Sequence, residues 1–304
     1  MAYDPKDFRA DWHNYYARAQ YLITLKKSAM CPNFGSLAGS TAIEPGTRGG
    51  SYIRASEVGK AVKNALREYT AKYPMIELGQ YALMPDHLHC IFHVTESLPF
   101  HFGNTIRDFK FMVRNHSGLN HVFEDGFNDQ IIGPERDLDT VYRYVRSNAY
   151  RLAIRREHPE YFQRVNKITV CGTEFAAYGN LQLLDNPFKD QVVVHRSDSL
   201  EVSQQHRKRW LHTAANGGVL VSPFISPGEK AVRDAASAIG GRIIVLRVMA
   251  FPERFKPSGA EFDLCAQGRL LLMAPWHNLD PKTTLTRADA MALNAFAQQI
   301  AAGR

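Results

Sequence analysis

The residues best suited to chemistry lie in the stretch QYALMPDHLHCIFHV, residues 80–94. Two histidines, His87 and His89, flank a single leucine directly after a Met-Pro-Asp turn. The run HLHCIFHV predicts a strand, in which alternate side chains point to the same side. His87 and His89 are therefore expected to share one face, where two imidazoles can bind one divalent metal ion. The simpler alternative is a pair of polar residues on the exposed face of a half-buried strand.

The segment MPDHLH resembles the M-P-[ND]-H-[VLM]-H signature of single-tyrosine HUH transposases, in which HUH stands for His-hydrophobic-His. It is most similar to the branch called REP-associated tyrosine transposases, and the resemblance covers roughly residues 15–160. The family carries the pair on a central strand of a ferredoxin-like sheet. The resemblance implies an enzyme that uses Mg²⁺ or Mn²⁺, held by His87 and His89, to cut and transfer single-stranded DNA beside a hairpin.

The same family carries its nucleophile on a later helix, in a motif similar to Y-[IV]-x-x-N-P. The stretch RYVRSNAYR resembles this motif, with Tyr144 as the nucleophile and Asn148 as the third metal ligand. Residues spaced i, i+4 lie on the same side of a helix. Ala149 stands where the family has proline, so we expect the helix to continue unbroken. Tyr144 would form a 5′-phosphotyrosine and leave a free 3′-OH. Two neighbouring tyrosines are expected to pack instead: Tyr142 and Tyr150.

The predicted helices carry many cations, and the chain has a formal net charge of +7 and a pI of about 9.2. A basic balance favours a polyanionic partner such as nucleic acid. Lys110 is the first candidate for a phosphate contact, because the family often has a lysine there. The candidate DNA contacts are Arg107, Lys110, Arg114, Arg143 and Arg146, and the candidates for base stacking are Phe109 and Phe111. The alternative for each cation is a solvated helix face.

The order of elements in the first half predicts a split βαβ, ferredoxin-like layout. One further strand is needed to complete it, and the sequence does not locate that strand. Segment 31–51 is rich in Gly, Ser, Thr and Pro, which is typical of a long mobile loop. The predicted strands and helices are, in order, strand 20–27, helix 56–73, strands 75–84 and 87–94, and helices 101–122 and 135–158.

Beyond residue 165, strands alternate with helices, which predicts a mostly parallel α/β sheet. The sequence therefore predicts an α+β ferredoxin-like domain, 1–164, followed by an α/β Rossmann-like domain, 165–304. The segment YGNLQLLDNPFKDQVVVHRSDS resembles the start of the Rossmann-like domain of DNA-processing protein A. Such sheets bind phosphates at strand carboxyl ends and helix N-termini. The candidate nucleotide or DNA contacts are Arg196, Ser222, Ser226 and Lys230.

Two other functions fit the same sequence. One is a domesticated single-stranded DNA-binding protein that keeps the fold without turnover. The other is a nucleotide-sensing regulator that acts through the second domain.

No apolar run approaches the ~18 residues of a membrane helix, so we expect a cytoplasmic protein with no membrane partner. Four scattered cysteines argue against a disulfide framework or structural zinc. The sequence leaves monomer and homodimer equally open.

Overall fold

A computed structural model describes residues 10, 12–134, 138–195, 197–249, 251–253, 255–275 and 285–303. The chain is a mixture of α-helices and β-sheets and divides into two compact units, Met1–Ile154 and Arg155–Arg304. The division lies before the predicted boundary at 164/165. None of the helices in the described residues is long and apolar enough to cross a membrane.

The first unit is built on a four-stranded sheet. Its elements in chain order are β1 (Ala19–Lys26), β2 (Gly35–Ala38), β3 (Tyr52–Ala55), α1 (Glu57–Lys72), β4 (Ile76–Leu83), β5 (His87–Val94), α2 (Phe102–Ser117), β6 (Asn128–Ile131), α3 (Leu138–Arg146) and α4 (Asn148–Glu157). The strand order is β4-β5-β1-β6, and all neighbours are antiparallel. The strand that the sequence left unplaced is β6, which pairs with the outer side of β1.

The two faces of this sheet are covered by different helices. On one face, Leu88, Cys90 and Phe92 of β5 pack in a core with residues of α1 and α2. On the other face, Ile91 packs with Val145 of α3. Successive residues of a strand point to opposite faces. The histidines of β5 therefore lie on the face that α3 covers.

The segment predicted as a mobile loop, 31–51, contains one short strand, β2, which pairs with β3 just beyond the segment. The two strands form an antiparallel hairpin, from Gly35 opposite Ala55 to Ala38 opposite Tyr52. The base of the hairpin is fixed by Phe34, whose side chain is fully buried and whose backbone N–H donates to the carbonyl of Pro85. The prediction missed β2, because the Gly- and Ser-rich composition hid one apolar anchor, Phe34, at the start of the hairpin; residues 39–51 lie outside the named strands and helices.

The helix that carries Tyr144 is interrupted, although Ala149 replaces the proline of the motif. α3 ends at Arg146, and α4 begins at Asn148. The side-chain amide of Asn148 donates to the carbonyls of Tyr144 and Val145, at 3.1 and 3.3 Å. A side chain that bonds to nearby backbone groups competes with the helical hydrogen bonds. The expectation of an unbroken helix was therefore wrong, and the break arises at Asn148 without a proline.

The second unit is built on a six-stranded sheet in the order β7-β8-β12-β11-β10-β9. Four neighbouring strands, β9 to β12, are parallel, and β8 and β7 continue the sheet in antiparallel pairs. The elements are β7 (Gln163–Val170), β8 (Thr173–Gly179), β9 (Lys189–Gln191), α5 (Leu200–Ala215), β10 (Val219–Ser222), α6 (Pro227–Ala238), β11 (Arg242–Leu246), α7 (Gly259–Ala266), β12 (Leu270–Pro275) and α8 (Arg287–Ala302).

Helices cover both faces of this second sheet. Trp210 of α5, Val232 of α6 and Cys265 of α7 belong to one core, and Leu293 and Ala297 of α8 belong to the other. The four parallel strands follow one another in chain order across the sheet. The described strands therefore lack the reversal of strand order at which doubly wound sheets bind their ligands.

Candidate active site

The two histidines of β5 lie side by side on the face covered by α3. Their ring centroids are 4.5 Å apart. His87 Nδ1 donates to the carboxylate of Asp86 at 2.7 Å. His89 Nδ1 shares a 2.8 Å hydrogen bond with the hydroxyl of Thr24, which stands directly opposite His89 on β1. Both rings are thus held through Nδ1, and their Nε2 atoms are left for other partners.

Burial keeps His89 neutral. Its side chain is only 8% exposed. Removal from water lowers the pKa of His89 to about 3, and the neighbouring His87 contributes to the decrease, while Asp86 opposes it. A neutral imidazole offers a lone pair to a metal, whereas an imidazolium does not. The fold therefore maintains His89 in the form that can coordinate a cation.

Tyr144 of α3 lies beside this pair, and Asn148 begins the next helix, α4. The Tyr144 ring centroid is 5.9 Å from that of His89, and the side chain is 37% exposed. The buried Arg151 holds its guanidinium 5.5 Å from the centre of the Tyr144 ring. Asn148 is 8% exposed and uses its amide nitrogen on the two carbonyls of α3. Its side-chain oxygen accepts no hydrogen bond from the described residues.

Two imidazole nitrogens on one face can bind a divalent metal ion. The amide oxygen of Asn148 is the third ligand that the sequence predicts. A carboxylate on the second nitrogen of a histidine is the usual support of a metal ligand, and Asp86 provides one for His87. No group of three His, Cys, Asp or Glu side chains suited to a metal occurs among the described residues.

Tyr142 lies on a different side of α3 and contacts the sheet. Its hydroxyl forms a 2.7 Å hydrogen bond with Nε2 of His93. A Cβ atom on Gly79 would lie 2.0 Å from that hydroxyl, so only glycine leaves room for Tyr142 there. Burial raises the pKa of Tyr142 and lowers that of His93. Tyr142 is therefore engaged in packing the helix on the sheet, away from the His87–His89 pair.

The predicted DNA contacts fall into two groups. Arg143 and Arg146 are exposed on α3, the helix that carries Tyr144. The other three, Arg107, Lys110 and Arg114, belong to α2, which covers the opposite face of the sheet. The two groups therefore do not form one surface around the histidine pair.

Within α2, two predicted roles conflict with the contacts. Lys110 donates to the backbone carbonyls of Glu124 (2.6 Å) and Gly126, so its ammonium holds the loop before β6. Phe109 is fully buried and cannot stack on a base, because its ring belongs to the core beneath α2. Phe111 is 58% exposed.

Two of the four residues predicted to contact a ligand in the second unit, Ser222 and Ser226, make hydrogen bonds within the fold. Ser222 is fully buried, and its hydroxyl accepts from the N–H of Phe224. Ser226 caps α6 by accepting from the N–H of Glu229. The carboxylate of Glu229 accepts from the N–H groups of Ile225 and Ser226. The N-terminus of α6 thus already holds an anion. Lys230 is exposed, and Arg196 lies outside the described residues.

Two polar residues that face the histidines were missed in the sequence. Thr24 and Lys26 stand opposite His89 and His87 on β1. The alternation Leu22, Thr24, Lys26 places both on the α3 face, because Leu22 packs there with Val145. That alternation is visible in the sequence, but the pairing of β1 with β5 is not.

Comparison with known proteins identifies partial similarities. No protein-family profile matches the chain. An uncharacterized protein of Haemophilus influenzae is 22% identical over 167 residues, which cover 47% of this chain and 87% of that protein. Among solved structures, a REP-associated tyrosine transposase bound to a REP hairpin is 17% identical and aligns with a TM-score of 0.31. That alignment covers 49% of this chain and 74% of the other.

We predict that His93 makes the protein less stable in acid. Burial lowers the pKa of His93 below its ordinary value of 6.5, although Glu77 acts in the opposite direction. Below that pH the unfolded chain takes up a proton that the folded chain does not. The free energy of unfolding is therefore unaffected by the titration of His93 above pH 6.5. It decreases as the pH falls below that value, by at most about 1.4 kcal/mol per pH unit for one group.

The measurement is urea unfolding of the wild type and of His93→Gln at pH 7 and pH 5. Glutamine keeps an acceptor for the Tyr142 hydroxyl but does not titrate. The loss of unfolding free energy between the two pH values should be smaller in the variant. An equal loss in both proteins would contradict the assignment.

Proposed function

We propose that the first unit is a metal-dependent HUH endonuclease and strand transferase that cuts single-stranded DNA through a 5′-phosphotyrosine. The observation that carries the proposal is the position of Tyr144, whose partly exposed ring lies 5.9 Å from the buried, neutral His89. The MPDHLH motif and the spacing of Tyr144 and Asn148 give the same assignment. Tyr142 is a poorer candidate, because its hydroxyl is bonded to His93.

The topology supports a ferredoxin-like fold for this unit. α1 lies between β1 and β4 in the chain, and α2 lies between β5 and β6. In the order β4-β5-β1-β6, each of these pairs is separated by one antiparallel strand, which is the split βαβ pattern. We propose a Rossmann-like relationship for the second unit on its four parallel strands alone.

His87, His89 and Asn148 would hold the metal, Mg²⁺ or Mn²⁺. Imidazole nitrogens suit a softer ion than Mg²⁺, which prefers oxygen ligands, so Mn²⁺ is the better choice for a test. When bound, the ion supplies Lewis-acid polarisation of the scissile phosphate. Asp86 and Thr24 orient the two rings through Nδ1, so that neither ring needs to reorganise.

Tyr144 acts as the nucleophile. Its phenolic oxygen forms a bond to phosphorus and loses its proton. The bond from phosphorus to the 3′ oxygen breaks, and that oxygen leaves with the electron pair and takes up a proton as the 3′-OH. The phosphotyrosine conserves the energy of the broken phosphodiester, so a later attack by a 3′-OH rejoins DNA without ATP. Arg151 restricts the Tyr144 ring by packing over it.

The cations on α3 are the best candidates to hold the DNA backbone. Arg143 and Arg146 are exposed and flank Tyr144 in sequence. Phosphate contacts of this kind supply affinity and salt dependence without reading the sequence. The partner we propose is therefore single-stranded or hairpin DNA. In the second unit, the exposed Lys230 is the remaining candidate for a nucleic-acid contact.

The direct test is the formation of a covalent protein–DNA adduct. The full-length protein is incubated with Mn²⁺ and a pool of end-labelled hairpin oligonucleotides, and adducts are separated on a denaturing gel. The wild type should form an adduct that a chelator abolishes. Tyr144→Phe and His87→Ala should reduce it at least about 10³-fold, since each removes a group that acts in the reaction.

Tyr142→Phe is the matched control, because it removes a hydroxyl two residues from Tyr144 on the same helix. It should form the adduct at nearly the wild-type rate and lose about 1 kcal/mol of stability with the His93 hydrogen bond. An adduct that persists in Tyr144→Phe would show that Tyr144 is not the nucleophile. DNA binding without an adduct would favour the non-catalytic DNA-binding protein.

A second prediction concerns the support of the metal ligands. Thr24→Val keeps the shape of the side chain and removes the hydroxyl that bonds to His89 Nδ1. Loss of such a supporting bond lowers metal affinity about 10- to 100-fold. Calorimetric titration with Mn²⁺ should show this decrease in Thr24→Val and near wild-type affinity in Thr24→Ser, which keeps the hydroxyl. Equal affinities in all three proteins would contradict the proposed metal site.

A further inference from the structure

Lys26 stands next to the proposed metal ligands, although it is distant from them in sequence. β1 pairs with β5 so that Lys26 is directly opposite His87, just as Thr24 is opposite His89. Residues opposite each other in an antiparallel pair have Cβ atoms about 4.5–5.5 Å apart on the same face. The 2.8 Å bond between Thr24 and His89 demonstrates that side chains meet across this pair of strands. Lys26 therefore shares a face with both histidines.

The ammonium of Lys26 is available to an anion from solution. Lys26 is exposed at the end of β1, and among the described residues no carboxylate lies within salt-bridge distance of its ammonium. Asp86, the acidic residue next to His87, is hydrogen-bonded to that histidine, and Glu124 bonds to Lys26 only through its backbone N–H, which donates to the Lys26 carbonyl. A cation with a flexible stem, beside a metal site and without a partner of its own, is suited to a phosphate oxygen.

The neighbouring lysine illustrates the contrast. Lys27 points to the other side of β1, and its ammonium donates to the carbonyls of Ser28 and Cys31, at 3.0 and 2.5 Å. Lys110, predicted from the sequence as the phosphate ligand, is likewise bound to carbonyls and lies on the helix that covers the opposite face. Of these three lysines, only Lys26 combines the right face with an uncommitted charge.

We propose that Lys26 is a catalytic residue that binds a non-bridging oxygen of the scissile phosphate. The inference rests on the proposed function of Tyr144. As the bond from Tyr144 to phosphorus forms and the bond to the 3′ oxygen breaks, negative charge increases on the non-bridging oxygens. Lys26 neutralises that charge at its ammonium. A preorganised cation acts most strongly where charge develops, so Lys26 stabilises the transition state more than bound DNA.

The test compares Lys26→Met with Lys26→Arg in the full-length protein. Single-turnover rates of adduct formation are measured with Mn²⁺ and an oligonucleotide that the wild type cleaves. Lys26→Met should lower the rate about 10²- to 10³-fold, and Lys26→Arg should recover at least about tenfold by restoring the charge. Lys60→Met, an exposed lysine on α1 at the opposite face, should react as the wild type does.

Two binding measurements separate catalysis from structure. In a Tyr144→Phe background, Lys26→Met should weaken DNA binding by less than about tenfold, far less than the loss in rate. The affinity of Lys26→Met for Mn²⁺ should equal or exceed that of the wild type, because the substitution removes a neighbouring positive charge. A rate within about threefold of the wild type would overturn the proposal, as would a loss of DNA affinity equal to the loss in rate.

The results that would refute the proposed function differ from those that would refute the role of Lys26 alone. A wild type that forms no adduct with any oligonucleotide, or an adduct that is unchanged in Tyr144→Phe, refutes the chemistry of Tyr144 and the role of Lys26 with it. A normal adduct in the wild type that is lost in Tyr144→Phe but kept in Lys26→Met refutes the role of Lys26 alone.

Discussion

The antiparallel register between β1 and β5 is the constraint on which the candidate site depends. It places Thr24 against His89 and Lys26 against His87 on one face of the first sheet. A shift of one residue would turn these side chains into the core formed with α1 and α2, and would move Leu88 and Cys90 to the site. The buried residues of both strands therefore fix the register, and the register determines which polar side chains lie on the opposite face.

Burial and support act together on the histidine pair. Without a partner, a buried imidazole such as that of His89 would leave a polar group unsatisfied. The hydroxyl of Thr24 satisfies one nitrogen, while removal from water keeps the ring neutral. At the break between α3 and α4, the amide of Asn148 donates to the carbonyls of Tyr144 and Val145, which fixes this side chain next to Tyr144. The same side chain is the one that we propose as the third metal ligand.

The sequence predicted features that depend on local periodicity and missed those that depend on distant contacts. Period two along HLHCIFHV put His87 and His89 on one face, and period 3.6 separated Tyr142 from Tyr144. The strand Gly35–Ala38 was missed because Phe34 anchors it against Pro85, 51 residues away in the chain. The connection from β5 to β6 determines which face of the sheet α2 covers, and therefore where Lys110 lies. No local pattern carries that information.

The central claim is that Tyr144 becomes covalently attached to DNA, and mass spectrometry of the proteolysed adduct tests it most directly. The wild type is incubated with Mn²⁺ and a cleavable hairpin oligonucleotide, then digested with protease and nuclease. The account predicts a nucleotide linked through its 5′-phosphate to Tyr144, in a peptide that also contains Val145. Attachment at Tyr142 or Tyr150, or linkage through a 3′-phosphate, would contradict it.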